Sequence, residues 1–344
     1  MMHQSSILNA LTRCVLVAAV LGGTLAASAV SMAAQAVDQR TAVNDALAWL
    51  RTQQQDDGSF PSAFGSPAGL TTDAVFALVA AGEDPNLWKT TSEGSHSVIH
   101  YLASIASEHA TSANATARLI IAAVAAGQDP TNFGGLNLAD TLQSFYDNGN
   151  FGSSAFDQAW ALIALAATRQ TIPPQAIATL LADQLPDGGW ESGPGWGSDT
   201  NTTALALQAL VAAAQPTASP PFAQALAFFQ TQQMDDGGFP YVNPNPWGET
   251  ASDANSTAYS IQGLIAAGQN PRAEPWLTPT GDPLSALLSF QLPSGALEWQ
   301  PSKGEDILAT VQAIPALLGR TFPLRTAGLY RVCLPVVTRA VVVP

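Results

Sequence analysis

The chain is short of cysteine, of positive charge, and of charge altogether. Its two cysteines are Cys14 and Cys333. Cys14 falls in the N-terminal leader described below, so the rest of the chain supports neither an internal disulfide nor a zinc site built on several cysteines. Stability must come from burial, and 344 residues suffice for one large domain or two ordinary ones. Lys and Arg total 12 against 26 acidic residues. That balance lacks the basic footprint needed for nucleic acid, which is therefore excluded as a partner, and it suits anionic lipid poorly. Only 11% of residues are charged while 47% are hydrophobic, which excludes a disordered polyelectrolyte. Helix formers dominate, Ala above all, so an all-α fold is predicted.

Residues 1–36 read as a cleaved signal peptide. Arg13 precedes an apolar run from Cys14 to Val30, and Ala34-Gln35-Ala36 forms a small-x-small cleavage site before Val37. An uncleaved N-terminal anchor is the rival reading. The Gly22-Gly23 break and the small-residue end favour cleavage, and with it a secreted or cell-surface location.

The remainder is repetitive. Ala81-Gly82-Glu83-Asp84-Pro85, Ala126-Gly127-Gln128-Asp129-Pro130 and Ala267-Gly268-Gln269-Asn270-Pro271 are helix-stop signals of one design. Gly82 and Gly127 lie 45 residues apart, and Gly127 and Gly268 lie 141 apart, three times 47. Two unmarked stops fall between, near Ala167 and Ala214, and a sixth near Gly319. Each repeat reads as a helical hairpin, with first helices from 42, 97, 138, 174, 221 and 283 and second helices from 72, 114, 156, 201, 255 and 306. The second helices carry almost no charge and form an inner ring; the first form an outer one. The prediction is an α/α toroid, a closed α6/α6 barrel over 37–322, followed by a short extended tail over 323–344.

The hairpin turns share one pattern, Gln-x-x-Asp-Gly-Gly/Ser-aromatic. It stands at Gln54–Phe60, Gln184–Trp190 and Gln233–Phe239, with a worn copy from Gln291 to Gly295. The glycine is expected in a left-handed conformation that ends the first helix, and the glutamine is expected to satisfy free backbone groups. This pattern resembles the repeat of squalene and oxidosqualene cyclases and the related hairpin of protein prenyltransferase β subunits. The resemblance spans roughly residues 40–320 as a period and is specific at three turns. It implies the toroid of that superfamily.

The catalytic motifs that the resemblance would bring are missing. There is no Asp-x-Asp-Asp acid motif, no Asp-Cys-Thr-Ala-Glu form, and no Asp-Asp-x-x-Asp magnesium motif. The zinc-binding cysteine of the prenyltransferases has no counterpart in the barrel. His96 and His100 are four apart but lack the intervening Glu of a metalloprotease. No metal and no cofactor are expected.

Polar residues instead gather where inner helices begin. Ser198-Asp199-Thr200-Asn201-Thr202-Thr203 matches Ser252-Asp253-Ala254-Asn255-Ser256-Thr257. One reading is helix capping. The other is a functional rim, with Asp199 and Asp253 as candidate catalytic acids or bases. Aromatic loops precede both starts. The ligand-binding candidates are Trp190, Trp196, Asn201, Thr203, Tyr241, Trp247, Glu249, Asn255 and Thr257.

Two functions follow. The first is an exported, non-catalytic toroid binding an apolar or mixed small ligand, or a protein, at one barrel mouth. The second is a divergent terpene cyclase-like or carbohydrate-active enzyme using inner-helix aspartates. A small apolar or carbohydrate ligand is the expected partner, and the tail offers a route to cell-surface association.

Overall fold

The computed structural model describes residues 38–63, 65–244, 246 and 251–324. The leader, Trp247, Glu249 and the tail beyond 324 lie outside the described residues. Among the described residues no helix is long and apolar enough to cross a membrane.

Six hairpins follow one another. The outer helices are α1 (38–53), α3 (Val98–Ser104) continued by α4 (Ala106–His109), α6 (Leu138–Ser144), α8 (Pro174–Ala182), α10 (Pro220–Gln232) and α12 (Pro283–Ser289). The inner helices are α2 (Pro67–Ala81), α5 (Ala113–Ala125), α7 (Ala155–Ala167), α9 (Thr200–Ala212), α11 (Ala254–Ala266) and α13 (Ile307–Leu317). Each inner helix packs on the next in that order, and α13 packs back on α2. The predicted closed toroid is the observed fold. The inner helices are buried nearly all round, as their lack of charge requires.

Each inner helix opens on a side-chain cap, from Ser66, Ser112, Ser154, Asp199, Asp253 and Asp306 in turn. The first inner helix begins five residues earlier than expected. Pro67 stands in its first turn, where the missing N–H is harmless, and Ser66 accepts from the Gly69 N–H. The second outer helix is interrupted at Ile105.

The repeated turn is a joint between neighbouring hairpins. Gln233 donates to Gly237 O at 3.0 Å in its own turn and to Trp276 O at 2.9 Å in the segment leading to the next outer helix. Gln54, Gln184 and Gln291 do the same with Trp88, Pro221 and Ala42. The last bond joins the sixth hairpin to the first and closes the ring. Asp236 accepts the Gly238 N–H at 2.8 Å, shaping the turn. Gly237 does not end the helix, as the sequence suggested. It sits inside the turn at φ +89°, and an added Cβ would lie 2.8 Å from the backbone of Asp282 on the next hairpin.

The third repeat lacks the turn glutamine, yet the joint is intact. Gln158, on inner helix α7, donates to Gly149 O at 2.9 Å and to Ala176 O at 2.8 Å. The same function is supplied from the other helix of the hairpin.

After α13 the chain turns at Gly319 and enters the barrel where the inner helices end. Phe322 and Leu324 are buried there. Two buried inner-helix glutamines hold this strap: Gln208 accepts the Phe322 N–H and Gln262 donates to Arg320 O, each at 2.9 Å.

Candidate functional site

The inner helices share a register that the turns establish. The N–H of the turn aromatic donates to a threonine hydroxyl: Phe60 to Thr71, Trp190 to Thr203, and Phe239 to Thr257. Leu297 uses Thr310, and Phe151 uses the Gln158 carbonyl. Thr116 occupies the matching place on α5, but the second hairpin has no such turn, and its hydroxyl is buried without a partner.

From this position, residues two before, two after and five after lie on one helix face, since they are spaced four and then three apart. The first level is Gly69, Asn114, Phe156, Asn201, Asn255 and Leu308. The second is Asp73, Arg118, Trp160, Leu205, Tyr259 and Gln312. The third is Phe76, Ile121, Ile163, Gln208, Gln262 and Pro315. These levels surround the barrel axis.

A cup of about 550 Å³ opens at the mouth where the inner helices start. Its walls combine Gly69, Asn114, Phe156 and Leu308 of the first level with Asp73, Arg118, Tyr259 and Gln312 of the second. Leu70 and Ile307 add apolar surface, and His109, Glu305 and Asp306 stand at its edge.

The polar groups of the cup form one network. Arg118 makes an ion pair with Asp73 and donates to Gly69 O at 3.2 Å. Gln312 donates to Asp73 Oδ2 at 3.2 Å and accepts from Asn255 Nδ2 at 2.8 Å. The Arg118 guanidinium also lies 5.5 Å from the centre of the Trp160 ring. Tyr259 is buried, and burial, reinforced by the Asp73 charge, pushes its phenol pKa up. His109 is shifted down, by burial first and then by the Arg118 charge, which favours neutral imidazole.

The residues singled out from the sequence lie elsewhere, with one exception. Asp199 and Asp253 are buried helix caps, each accepting a backbone N–H at 2.7 Å, from Thr202 and Ser256. Burial raises the Asp199 pKa. Thr203 and Thr257 bind the turns. Trp190 is buried, its indole donating to Leu180 O at 2.7 Å. Tyr241 shares a 2.7 Å hydrogen bond with Ser192, and burial pushes its phenol up. Trp196 is 79% exposed on the outer loop, and Asn201 is half-buried. Trp247 and Glu249 lie outside the described residues. Asn255 is the exception, because it reaches the cup through Gln312.

Asp73 is one of the inner-helix aspartates of the enzymatic reading; Arg118, Tyr259 and Gln312 were not among the sequence candidates. The signal was present: Asp73 and Arg118 are opposite charges within inner helices that are otherwise almost uncharged. Counted from Thr71 and Thr116, both stand two residues on. Among the described residues, no three His, Cys, Asp or Glu side chains converge as metal ligands.

A family model, the squalene-hopene cyclase C-terminal domain, matches residues 170–276, the fourth and fifth hairpins. The structure of the type II terpene cyclase MstE from Scytonema is similar over 82% of this chain and 98% of its own, with a TM-score of 0.56 at 16% identity. The fold is that of the terpenoid cyclase-like toroids. A crystal structure of a protein from Actinoplanes matches with a TM-score of 0.55 at 16% identity, over 81% of this chain and 98% of its own. A glycosidase in complex with glucose matches at 0.54 and 11% identity, over 82% and 96%. This toroid therefore resembles terpene cyclases and a glycosidase alike. No curated protein matches its sequence.

Proposed function

We propose that the protein is an exported, non-catalytic terpenoid cyclase-like toroid that binds a neutral, largely apolar small molecule with one polar end in the axial cup. The observation that carries this reading is the Asp73–Arg118–Gln312–Asn255 network beside an apolar part of the wall made by Leu70, Phe156, Ile307 and Leu308. A few fixed polar groups in an apolar concavity orient a ligand. The charge at the cup selects against anions. Arg118 is already paired with Asp73, and Glu305 and Asp306 add negative charge. A diphosphate or carboxylate end is disfavoured and a hydroxyl end suits the site. Solved structures of this fold hold small molecules: MstE geranylgeranyl dihydroxybenzoate, and the glycosidase glucose.

The non-catalytic reading rests on the work the aspartates already do. Asp73 is paired with Arg118, and Asp199, Asp253 and Asp306 cap helices. Enzymatic use of the cup is the second reading, favoured by Glu305 and His109 on its edge. Export rests on the leader pattern of residues 1–36, and N-terminal sequencing of protein from the medium should begin at Val37.

Native mass spectrometry of protein purified from its source cells tests the main reading. A retained neutral molecule, released unchanged on denaturation, is the expected result. A retained anion, or conversion of the molecule during incubation, would overturn it.

A further inference from the structure

The cup has a floor, and the strap after α13 supplies it. Below the Asp73 level a second void of only about 10 Å³ continues along the axis. Asp73, Tyr259 and Gln312 line both spaces, so the two adjoin. What pinches the lower one is Phe322. Its ring packs edge-on against Phe76 and Trp160, with centroids 5.0 Å away in each case. Phe76 and Trp160 themselves stack at 6.0 Å.

The barrel is built to hold this ring. At the third axial level four positions are apolar and two are glutamines, Gln208 and Gln262. A buried glutamine in an apolar helix face costs free energy unless it is bonded. Both are bonded to the strap backbone, on either side of Thr321. The polar residues of that level thus both serve the strap.

We propose that Phe322 sets the depth of the cup and so the length of the apolar ligand it accepts. This rests on the axial-cup reading above. A ligand enters apolar end first and stops at the Phe322 ring, while its polar end stays nearer the mouth, at the Asp73–Arg118 level or above. Replacing Phe322 by a small residue joins the two spaces and lengthens the channel toward Phe76 and Trp160.

The test is a length series. Straight-chain primary alcohols of increasing length are titrated against wild type, Phe322→Leu and Phe322→Ala, with melting temperature as the folding control. Wild type should gain affinity with each carbon up to a cut-off and then lose it. Phe322→Ala should move that cut-off to longer chains, and Phe322→Leu should move it less. Past the wild-type limit the gain should be roughly tenfold for every two added carbons, the return expected for two methylenes leaving water. A folded Phe322→Ala protein with an unchanged cut-off would overturn the proposal.

If wild type binds no alcohol of any length, the axial-cup reading fails, and the floor is judged separately. Crystals of Phe322→Ala under xenon should then show gas in one column from the Asp73 level to Phe76. Xenon confined to a pocket sealed from the cup would overturn the role of Phe322 as its floor.

Discussion

Arg118, on the second inner helix, holds its guanidinium against the carboxylate of Asp73, on the first, and the pair is tied further to Gly69 O and the Gln312 amide. Both side chains are largely buried, at 18% and 8% exposure. Removing one partner leaves the other charge uncompensated. Asp73→Ala should therefore lose about 3 kcal/mol of stability by the usual cost of breaking a buried pair. The double variant Asp73→Leu with Arg118→Met should recover most of it while losing affinity for polar-ended ligands. Urea denaturation of the three proteins measures the first part, and ligand titration the second.

The joint between hairpins gives a matched pair of substitutions. Gln233→Ala removes two hydrogen bonds to Gly237 O and Trp276 O. Gln158→Ala removes the equivalent two to Gly149 O and Ala176 O, and also leaves the Phe151 N–H unbonded. Each should destabilise the protein by about 1–3 kcal/mol, with Gln158→Ala the larger. Equal tolerance of both changes would show that the joint is not what holds neighbouring hairpins together.

The helix caps should matter for stability and not for binding. Asp199→Ala and Asp253→Ala each remove the acceptor for one N-terminal amide. A cost of about 1 kcal/mol per cap is expected. Ligand affinity at the cup should stay within experimental error, because neither carboxylate lines it. Loss of binding with unchanged melting would return these aspartates to the functional site.

How much of this the sequence revealed depends on what kind of signal each feature leaves. The ring of hairpins is written as a period, in the stops at Gly82, Gly127 and Gly268 and the turns around Gly58, Gly188 and Gly237. The inner and outer assignment follows from where charge is absent. The site was harder to read because the conspicuous polar clusters, Ser198–Thr203 and Ser252–Thr257, repeat with the turns and serve them. A cluster that recurs with the fold tends to belong to the fold. Asp73 and Arg118 break the repeat, and their pairing requires α2 and α5 to be neighbours in space. The strap left no local signal, since Phe322 acquires its meaning only when the ring closes around it.

His109 gives the pH dependence. Burial and the Arg118 charge lower its folded pKa below the ordinary 6.5. Between that lowered value and 6.5 the unfolded chain binds the proton and the folded protein does not. Stability from this group is therefore complete above pH 6.5 and is lost as the pH falls toward the folded pKa, with no further change below it. His109→Gln should flatten that part of the profile. Thermal melts of both proteins from pH 7.5 to 4.5 supply the comparison.

If the axial cup is the binding site, Gly69→Leu should close it. Gly69 lies in the first level of the wall with ordinary helical backbone. An added Cβ would meet only Ser66 Oγ at 3.8 Å and Arg118 Nη1 at 4.0 Å. Leucine is a better helix former than glycine by roughly 0.8 kcal/mol, so the variant should melt no lower than wild type while its side chain fills the mouth. Titration of both proteins with one neutral long-chain alcohol is the measurement. Wild type should bind, and Gly69→Leu, fully folded, should not. Equal binding by the two proteins would contradict this and place the ligand elsewhere on the toroid.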